Sequence, residues 1–349
     1  MSVTHLRDGE DGSSPRFGGG RLGGGQVVSE ADAWTADAVR ARTDAPGTPA
    51  HPHPNPPPQA REKGQQQLWF DGELHDASAQ QAALDTHALH YGSGVFEGIR
   101  AYATADGAAV FRLPEHLERM RRGTELLGLA FDPAQATEAV LATLRANGHR
   151  DAYVRPLAWA GEGNFGLDVE GHKPHLMVAT TATQVHLNGT RARIGVSRWR
   201  RNPADSLPPL KLCGAYVNSI LAKREAKARG FDEALFVDAQ GFVVECTGAN
   251  VFIVKDGRVT AIEHRDALPG ITRDTVMALT GAAARAVSLD ELRDADEVFA
   301  CGTAAEVAPI AEVEDRCYGA NPVTRELAAL YARVVRGEEA SRLAWLTPV

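Results

Sequence analysis

The first sixty-five or so residues are not expected to contribute to a core, which leaves folding to the rest of the chain. They hold the triple-glycine runs Gly18–Gly20 and Gly23–Gly25 and the segment Pro46-Gly-Thr-Pro-Ala-His-Pro-His-Pro-Asn-Pro-Pro-Pro58. Such a composition buries too little apolar surface to offset chain entropy, so residues 1–65 are expected to be a disordered Gly/Pro-rich extension. His51 and His53 alternate with proline there, which makes a poor metal site.

Order is expected from Leu68 onward. Leu68 to Leu74 reads as two short strands joined by an Asp71-Gly72 hairpin turn. Further strands are predicted at 109–112, 152–155, 175–179, 192–196, 233–237, 242–245 and 250–254, with a second hairpin at Asp256-Gly257. Helices are predicted from about Pro114, over Tyr216 to Ala228 with Gly230 as the stop, at about 272–285 and at 323–335. Strands and helices do not alternate strictly, which predicts an α+β or mixed-sheet protein and not a doubly wound one. No Walker sequence is present, and no GxGxxG follows a predicted strand. At 349 residues, the chain is long enough for two domains.

Charge and apolar patterning exclude several classes of partner. The net charge of -8 argues against nucleic acid, and the nearest thing to a basic stripe, Arg198-Trp-Arg-Arg201, reads as a solvated face. No apolar run reaches the roughly 20 residues a membrane span needs, and the first residues lack a signal-peptide pattern. The four cysteines have no CxxC spacing, which fits reduced thiols in a cytoplasmic protein. Cys213, Cys246 and Cys301 read first as small packing residues.

Six segments could carry chemistry. In Ser206-Leu-Pro-Pro-Leu-Lys-Leu-Cys-Gly-Ala-Tyr216, Lys211 sits among leucines, prolines and small residues. Desolvation disfavours a charged amine, which suits an imine-forming lysine, although a buried ion pair explains such a residue as well. In Glu245-Cys-Thr-Gly-Ala-Asn-Val-Phe252, a carboxylate at a strand end precedes a turn of small residues. It could pair with a protonated ring nitrogen while the turn's amides hold a phosphate, or it could be a surface glutamate. In Leu268-Pro-Gly-Ile-Thr-Arg-Asp274, Thr272 stands at a helix start, a ready anion site or a plain cap. Ala300-Cys-Gly-Thr-Ala-Ala-Glu306 is a small-residue turn whose amides could approach a carboxylate closely. Thr86 to Arg100 contains His87, His90 and Glu97, but the spacing is wrong for zinc and the glycines break any helix, so no metal is expected. In Ala152-Tyr-Val-Arg-Pro156, Tyr153 and Arg155 share one strand face, as a carboxylate grip or a structural pair would.

Together and in this order, these segments resemble the branched-chain aminotransferases of the class IV, fold-type IV pyridoxal-phosphate enzymes. The resemblance runs from about Leu68 to the C-terminus and is most specific in HALHYGSGVFEGIRAY, the lysine segment, EALFVDAQGFVVECTGANVFIVKDG, LPGITRD and ADEVFACGTAAEVAPI. It implies a fold-type IV α+β architecture, with a smaller domain over 66–180, an interdomain loop at 181–190, a larger cofactor-binding domain over 191–349, and the cofactor at their interface. The activity it implies is transamination of leucine, isoleucine and valine with 2-oxoglutarate or glutamate, through an imine between pyridoxal 5'-phosphate and Lys211. The alternatives are a class IV aminotransferase of other specificity or a non-catalytic homologue.

By the same resemblance, Lys211 carries the cofactor and shuttles the proton, Glu245 pairs with the ring nitrogen, and Tyr216 bonds the ring oxygen. Arg119 clamps the phosphate, with Gly248, Ala249, Ile271, Thr272 and Thr303 as its other contacts. Thr303 and Ala304 amides and the Tyr153 hydroxyl hold the α-carboxylate, while Phe96, Gly98, Phe165 and Leu167 line the side-chain pocket. Arg155 accepts the distal carboxylate of glutamate, and Tyr91 reaches the neighbouring subunit's site in a homodimer or larger homo-oligomer. The chain departs from the family at Ala249, Thr183 and His186, which leads to the expectation of a roomier or more polar pocket.

Overall fold

The computed structural model describes residues 66–182 and 192–349. The expected disordered extension and the departures at Thr183 and His186 lie outside the described residues.

The first strands in the chain are β1 (Gln67–Phe70), β2 (Glu73–Asp76), β3 (Gly94–Phe96), β4 (Ile99–Thr104), β5 (Gly107–Phe111), β6 (Ala152–Ala160) and β7 (Pro174–Ala182). They pair antiparallel in one sheet, ordered β5-β4-β6-β7-β1-β2 with β3 also on β6. The β1–β2 turn follows from its residues, since Asp71 and Gly72 both take positive φ, 46° and 113°.

The following strands are β8 (Ala192–Val196), β9 (Glu233–Val237), β10 (Val243–Cys246), β11 (Asn250–Lys255), β12 (Arg258–Ile262), β13 (Ala283–Arg285), β14 (Glu297–Gly302), β15 (Glu306–Val313) and β16 (Arg316–Cys317). Their sheet is mixed: β8 runs parallel to β9 and β15, and β12 parallel to β13, while the other pairs are antiparallel. The last strand, β17 (Leu346–Pro348), leaves this sheet and pairs with β5 in the first. The expected span 191–349 therefore does not stay in one sheet to its end.

The helices are α1 (His87–Tyr91), α2 (Leu113–Leu126), α3 (Pro133–Ala146), α4 (Tyr216–Ala228), α5 (Ile271–Thr280), α6 (Leu289–Asp294) and α7 (Pro322–Val335). Helix α3 has no counterpart among the sequence-based expectations. Its start is nonetheless written in the chain, because Asp132 caps it by accepting the Ala134 N–H at 2.9 Å and Pro133 opens it. The helix predicted over 272–285 ends early: Gly281 takes φ +68° and closes α5 on Met277, and the chain then extends as β13. The glycines after His90 do not prevent a short helix; they end it, with Gly92 in the left-handed region after α1.

Helices α2 and α3 pack Leu117, Met120, Val140 and Leu144 against Ile99, Val110, Val154 and Val178 of the first sheet. Gly123 lets α2 approach closely, since a Cβ there would meet Val95 Cγ1 at 2.7 Å. Helix α4 covers the second sheet through Ala222 and Ala226 against Ala234, Phe236 and Val244. A further cluster joins the two sheets, packing Tyr102 and Phe111 of the first with Phe252 and Phe299 of the second and with Tyr331 of α7. Burial of this kind contributes about 1.5–3 kcal/mol for each large side chain. The sheets are thus fixed against each other beside the cavity described next.

Candidate active site

Lys211 is positioned by two close approaches of backbone. Its carbonyl accepts the Phe96 N–H at 3.1 Å, and the next residue, Leu212, bridges Val95 of β3. The chain then makes a 3-10 turn, Cys213–Ala215, and enters α4 at Tyr216. Gly92 is required here, because a Cβ would lie 2.7 Å from Gly214 Cα. The lysine amine donates to the Tyr216 hydroxyl at 2.8 Å and sits 5.0 Å from the centre of the Phe96 ring.

Around that amine lies an open cleft of about 620 Å³, part of it continuous with solvent. Of the expected residues, it is lined by Gly98, Arg119, Tyr153, Lys211, Tyr216, Glu245, Gly248, Ala249, Ile271, Thr272, Thr303 and Ala304. The turn at Thr303 is shorter than the sequence suggests, because β14 runs on to Gly302 and β15 starts at Glu306. Glu306 takes φ 54° and accepts a hydrogen bond from the Tyr102 hydroxyl at 2.9 Å and an ion pair from Arg100 at 3.4 Å. These contacts fix the end of the turn. Gly98 has a specific reason to be glycine, since a Cβ would come within 2.1 Å of the Tyr153 hydroxyl.

Glu245 is buried and both of its oxygens are occupied. Oε1 accepts from Arg201 Nε at 2.8 Å, and Oε2 from the Leu268 N–H at 3.1 Å and Asn250 Nδ2 at 3.3 Å. Burial pushes its carboxyl above the usual range, and Arg201, the Leu268 N–H and Lys211 pull it back only in part. The surface-glutamate alternative is thereby excluded.

Sequence alone does not single out Arg201. The run from Arg198 reads as a solvated face, and the structure corrects this: Arg198 and Arg200 are exposed, but Arg201 is buried and lines the cleft. Asn250 is a second residue that the sequence does not reveal. Its side chain bonds Glu245 and the Leu268 carbonyl, and it packs where only Gly270 leaves room, a Cβ there falling 1.9 Å from Asn250 Oδ1. No spacing signal marks either residue, since both act through Glu245.

Arg119 grips Glu97 with Nε and Nη2, at 2.7 and 2.9 Å, and donates from Nη1 to the Pro269 carbonyl at 2.9 Å. His116 adds Nδ1 at 2.8 Å from the same carboxylate. Burial would raise the Glu97 carboxyl, but Arg119 and His116 outweigh it and hold it well below the usual range. Burial also lowers His116, which leaves the ring neutral near pH 7 and Arg119 as the main counter-charge.

An anionic group fits the cleft. Helix α5 begins at Gly270 without a side-chain cap, and its first residues, Ile271 and Thr272, line the space with Arg119. Gly248, on the opposite turn, has open space where a Cβ would be. A primary amine, a buried carboxylate and an anion cradle are what pyridoxal phosphate needs at its aldehyde, ring nitrogen and phosphate.

The remaining expected residues lie at or beyond the rim. Phe96 packs on Lys211 and Tyr216, and exposed Arg155 covers Phe96 at 4.7 Å while donating to the Tyr153 hydroxyl at 2.8 Å. Phe165 and Leu167 do not line the cleft, and are 62% and 80% exposed. Their loop is drawn to α1 instead, where the Tyr91 hydroxyl donates to the Phe165 carbonyl at 2.6 Å and His87 Nε2 meets the Gly166 carbonyl at 2.8 Å. His87 is buried against Ser93 as well, at 2.6 Å.

Comparison with known proteins gives a consistent result. The sequence signature described as Amino-transferase class IV matches residues 94–313. The branched-chain-amino-acid aminotransferase of Pseudomonas aeruginosa is 37% identical over 297 residues, which cover 81% of this chain and 97% of that protein. The crystal structure of the branched-chain aminotransferase from Thermoproteus uzoniensis with norvaline is 39% identical. It superposes with a TM-score of 0.78 over 82% of this chain and 99% of that one. The branched-chain amino acid aminotransferase from Thermobaculum terrenum, in its PLP-bound holo form, is 32% identical, with a TM-score of 0.76 over 82% and 99%.

Proposed function

Because the chain belongs to the class IV aminotransferases, we propose that it transfers the amino group of branched-chain L-amino acids to 2-oxoglutarate. The observation that carries this reading is the convergence of Lys211, Tyr216, Glu245, Arg119 and Tyr153 on one cleft. Bound pyridoxal phosphate supplies an aldehyde that exchanges amines and a ring that accepts an electron pair.

The chain's own groups divide the remaining work. Lys211 Nζ holds the proton that moves between substrate and cofactor carbons, and the Tyr216 hydroxyl at 2.8 Å orients it. Glu245 would pair with the ring nitrogen, and Gly248, Ala249, Ile271, Thr272, Thr303 and Arg119, which line the same cleft, would hold the phosphate. The Thr303 and Ala304 amides and the Tyr153 hydroxyl bind the α-carboxylate, and Gly98 and Phe96 border the side chain. Arg155 stands beside Tyr153 to receive a distal carboxylate when glutamate is bound.

Each sheet with its helices is read as one domain, apart from β17, which crosses back. The working form is read as a homodimer in the cytoplasm. What supports the dimer is a set of exposed apolar side chains on and around α1, Leu84, Leu89, Tyr91, Phe165 and Leu167. Tyr91 and the loop of Phe165 and Leu167 then complete the partner's pocket. No helix among the described residues is long and apolar enough to cross a membrane, and the four cysteines are unpaired.

Absorbance and steady-state kinetics test the activity. The expected result is a yellow protein whose band shifts with leucine, isoleucine or valine, with specificity constants above those for phenylalanine. A protein that binds no pyridoxal phosphate, or that prefers a D-amino acid, would refute the reading.

A further inference from the structure

We infer that Arg201 is a positioning residue that keeps the proton on the cofactor's ring nitrogen by holding Glu245 as a carboxylate. This rests on the reading above, in which Glu245 faces that nitrogen. A carboxyl group and a pyridine share one proton in either of two ways. Glu245 is ionised and the ring protonated, or Glu245 carries the proton and the ring is neutral; no other bond changes. Only the protonated ring is a strong acceptor of electrons.

In a pocket with little water, the neutral arrangement is favoured unless a fixed positive charge stabilises the carboxylate. Arg201 provides that charge at 2.8 Å from Oε1, with both side chains nearly inaccessible to solvent, at 6% and 5% exposure. The other oxygen receives only neutral donors, the Leu268 N–H and Asn250 Nδ2. Lys211 and Arg119 also act on Glu245, but neither is hydrogen-bonded to it. Burial still leaves the Glu245 carboxyl above its ordinary range with all of these in place, so the loss of Arg201 has a direct consequence.

Arg201 is itself held in register with the lysine end of the site. Its Nη1 lies 3.4 Å from both Asn218 Oδ1 and Ser219 Oγ on α4, and its guanidinium lies over the Phe236 ring at 5.7 Å. Helix α4 also begins with Tyr216, the partner of Lys211. One rigid element therefore sets both the amine and the charge behind the ring nitrogen.

The test uses holoprotein loaded with cofactor isotopically labelled at the ring nitrogen, read by nitrogen NMR and by the absorbance of the bound cofactor. Wild type is expected to give a protonated-ring resonance. R201M and R201Q are expected to move it to the neutral-ring position, with kcat falling roughly tenfold to a hundredfold and KM changing less, the scale on which partners of a reacting group act. R201K, which restores a positive charge, is expected to recover part of the protonated signal. E245Q separates the two levels of the argument. If E245Q leaves the resonance where it is, Glu245 does not face the nitrogen and the underlying reading fails. If E245Q moves it but folded R201Q or R201M does not, the role of Arg201 alone is overturned. Should R201M not fold, R201Q decides by the same criterion, since it keeps a donor and most of the volume. Should neither load cofactor while R201K does so with a neutral-ring resonance, the inference is also overturned.

Discussion

Glu97 and Arg119 face each other through two parallel hydrogen bonds, where the carboxylate has no solvent contact. The pair is a support for the anion cradle, since Glu97 fixes two arms of the Arg119 fork beside the cleft and the Pro269 carbonyl the third. Removing one member leaves a buried charge without its counter-ion. Glu97→Ala is expected to destabilise the apoprotein by about 3 kcal/mol or more and to weaken cofactor retention. Urea denaturation and equilibrium dialysis against pyridoxal phosphate measure both, and an unchanged urea midpoint would contradict the assignment.

Acidification should act on the same cluster in two stages. His116 has its proton affinity lowered by burial, so the unfolded chain binds a proton that the native state refuses as the pH falls below 6.5. Glu97 is depressed too, and its contribution is lost as the pH falls below 4.5, the value it regains on unfolding. Both effects have one sign: stability is present at neutral pH and declines toward acid. His116→Gln should flatten the first stage and Glu97→Gln the second in a plot of urea midpoint against pH. Glu245 works in the opposite sense, since a raised carboxyl lends stability at low pH that is lost as the pH rises through its folded value.

Lys211→Ala should abolish the near-visible absorbance without disturbing the fold, because the Lys211 side chain hydrogen-bonds only to Tyr216 among the described residues. Turnover should fall by at least about a thousandfold, as removal of an acid–base group implies. Tyr216→Phe removes a single hydrogen bond worth about 1–1.5 kcal/mol and should cost roughly tenfold in kcat. A Lys211→Ala protein that stayed yellow, resisted borohydride and turned over at the wild-type rate would end the case for this lysine.

Glu297 offers a prediction about stability alone. Its carboxylate, at the start of β14, accepts from the Val323 N–H at 3.0 Å, the Thr324 N–H at 2.9 Å and the Thr324 hydroxyl at 2.7 Å. It thereby caps α7 from a distant part of the chain. Glu297→Ala is expected to lower stability by about 2 kcal/mol, since buried amides lose their acceptor, while kcat/KM stays within about twofold of wild type. Equal losses of stability and activity would show that the cap also shapes the cleft.

The lining of the cleft is legible in the sequence where a local segment stands out. Lys211, Tyr216 and Glu245 each stand in a short segment with a distinctive composition, and the cleft holds all three. Arg201 and Asn250 are not legible, because their partner is forty-four and five residues away and nothing local distinguishes Arg201 from Arg198 or Arg200. Burial is a tertiary property there. Strands stand out where apolar residues cluster between turn signals, as in β8 and β9. Helix α3 escapes because its buried face rests partly on small residues, Ala136 and Ala139 among them, which weakens the apolar periodicity. The Phe165 loop is a related case: hydrogen bonds to α1 decide where its backbone runs, and no local pattern foretells them.

The pairing of β17 with β5 has a consequence for how the chain is made. Ribosomal synthesis delivers the first sheet's strands early, and domains tend to fold as they emerge. Yet the backbone edge of Val110 and Phe111 has no neighbour on its outer side until Leu346 and Thr347 have been translated. Throughout that interval, an apolar edge strand stands open to pairing with other nascent chains, a known route to aggregation. The sheet begun first is completed only after the second has been built.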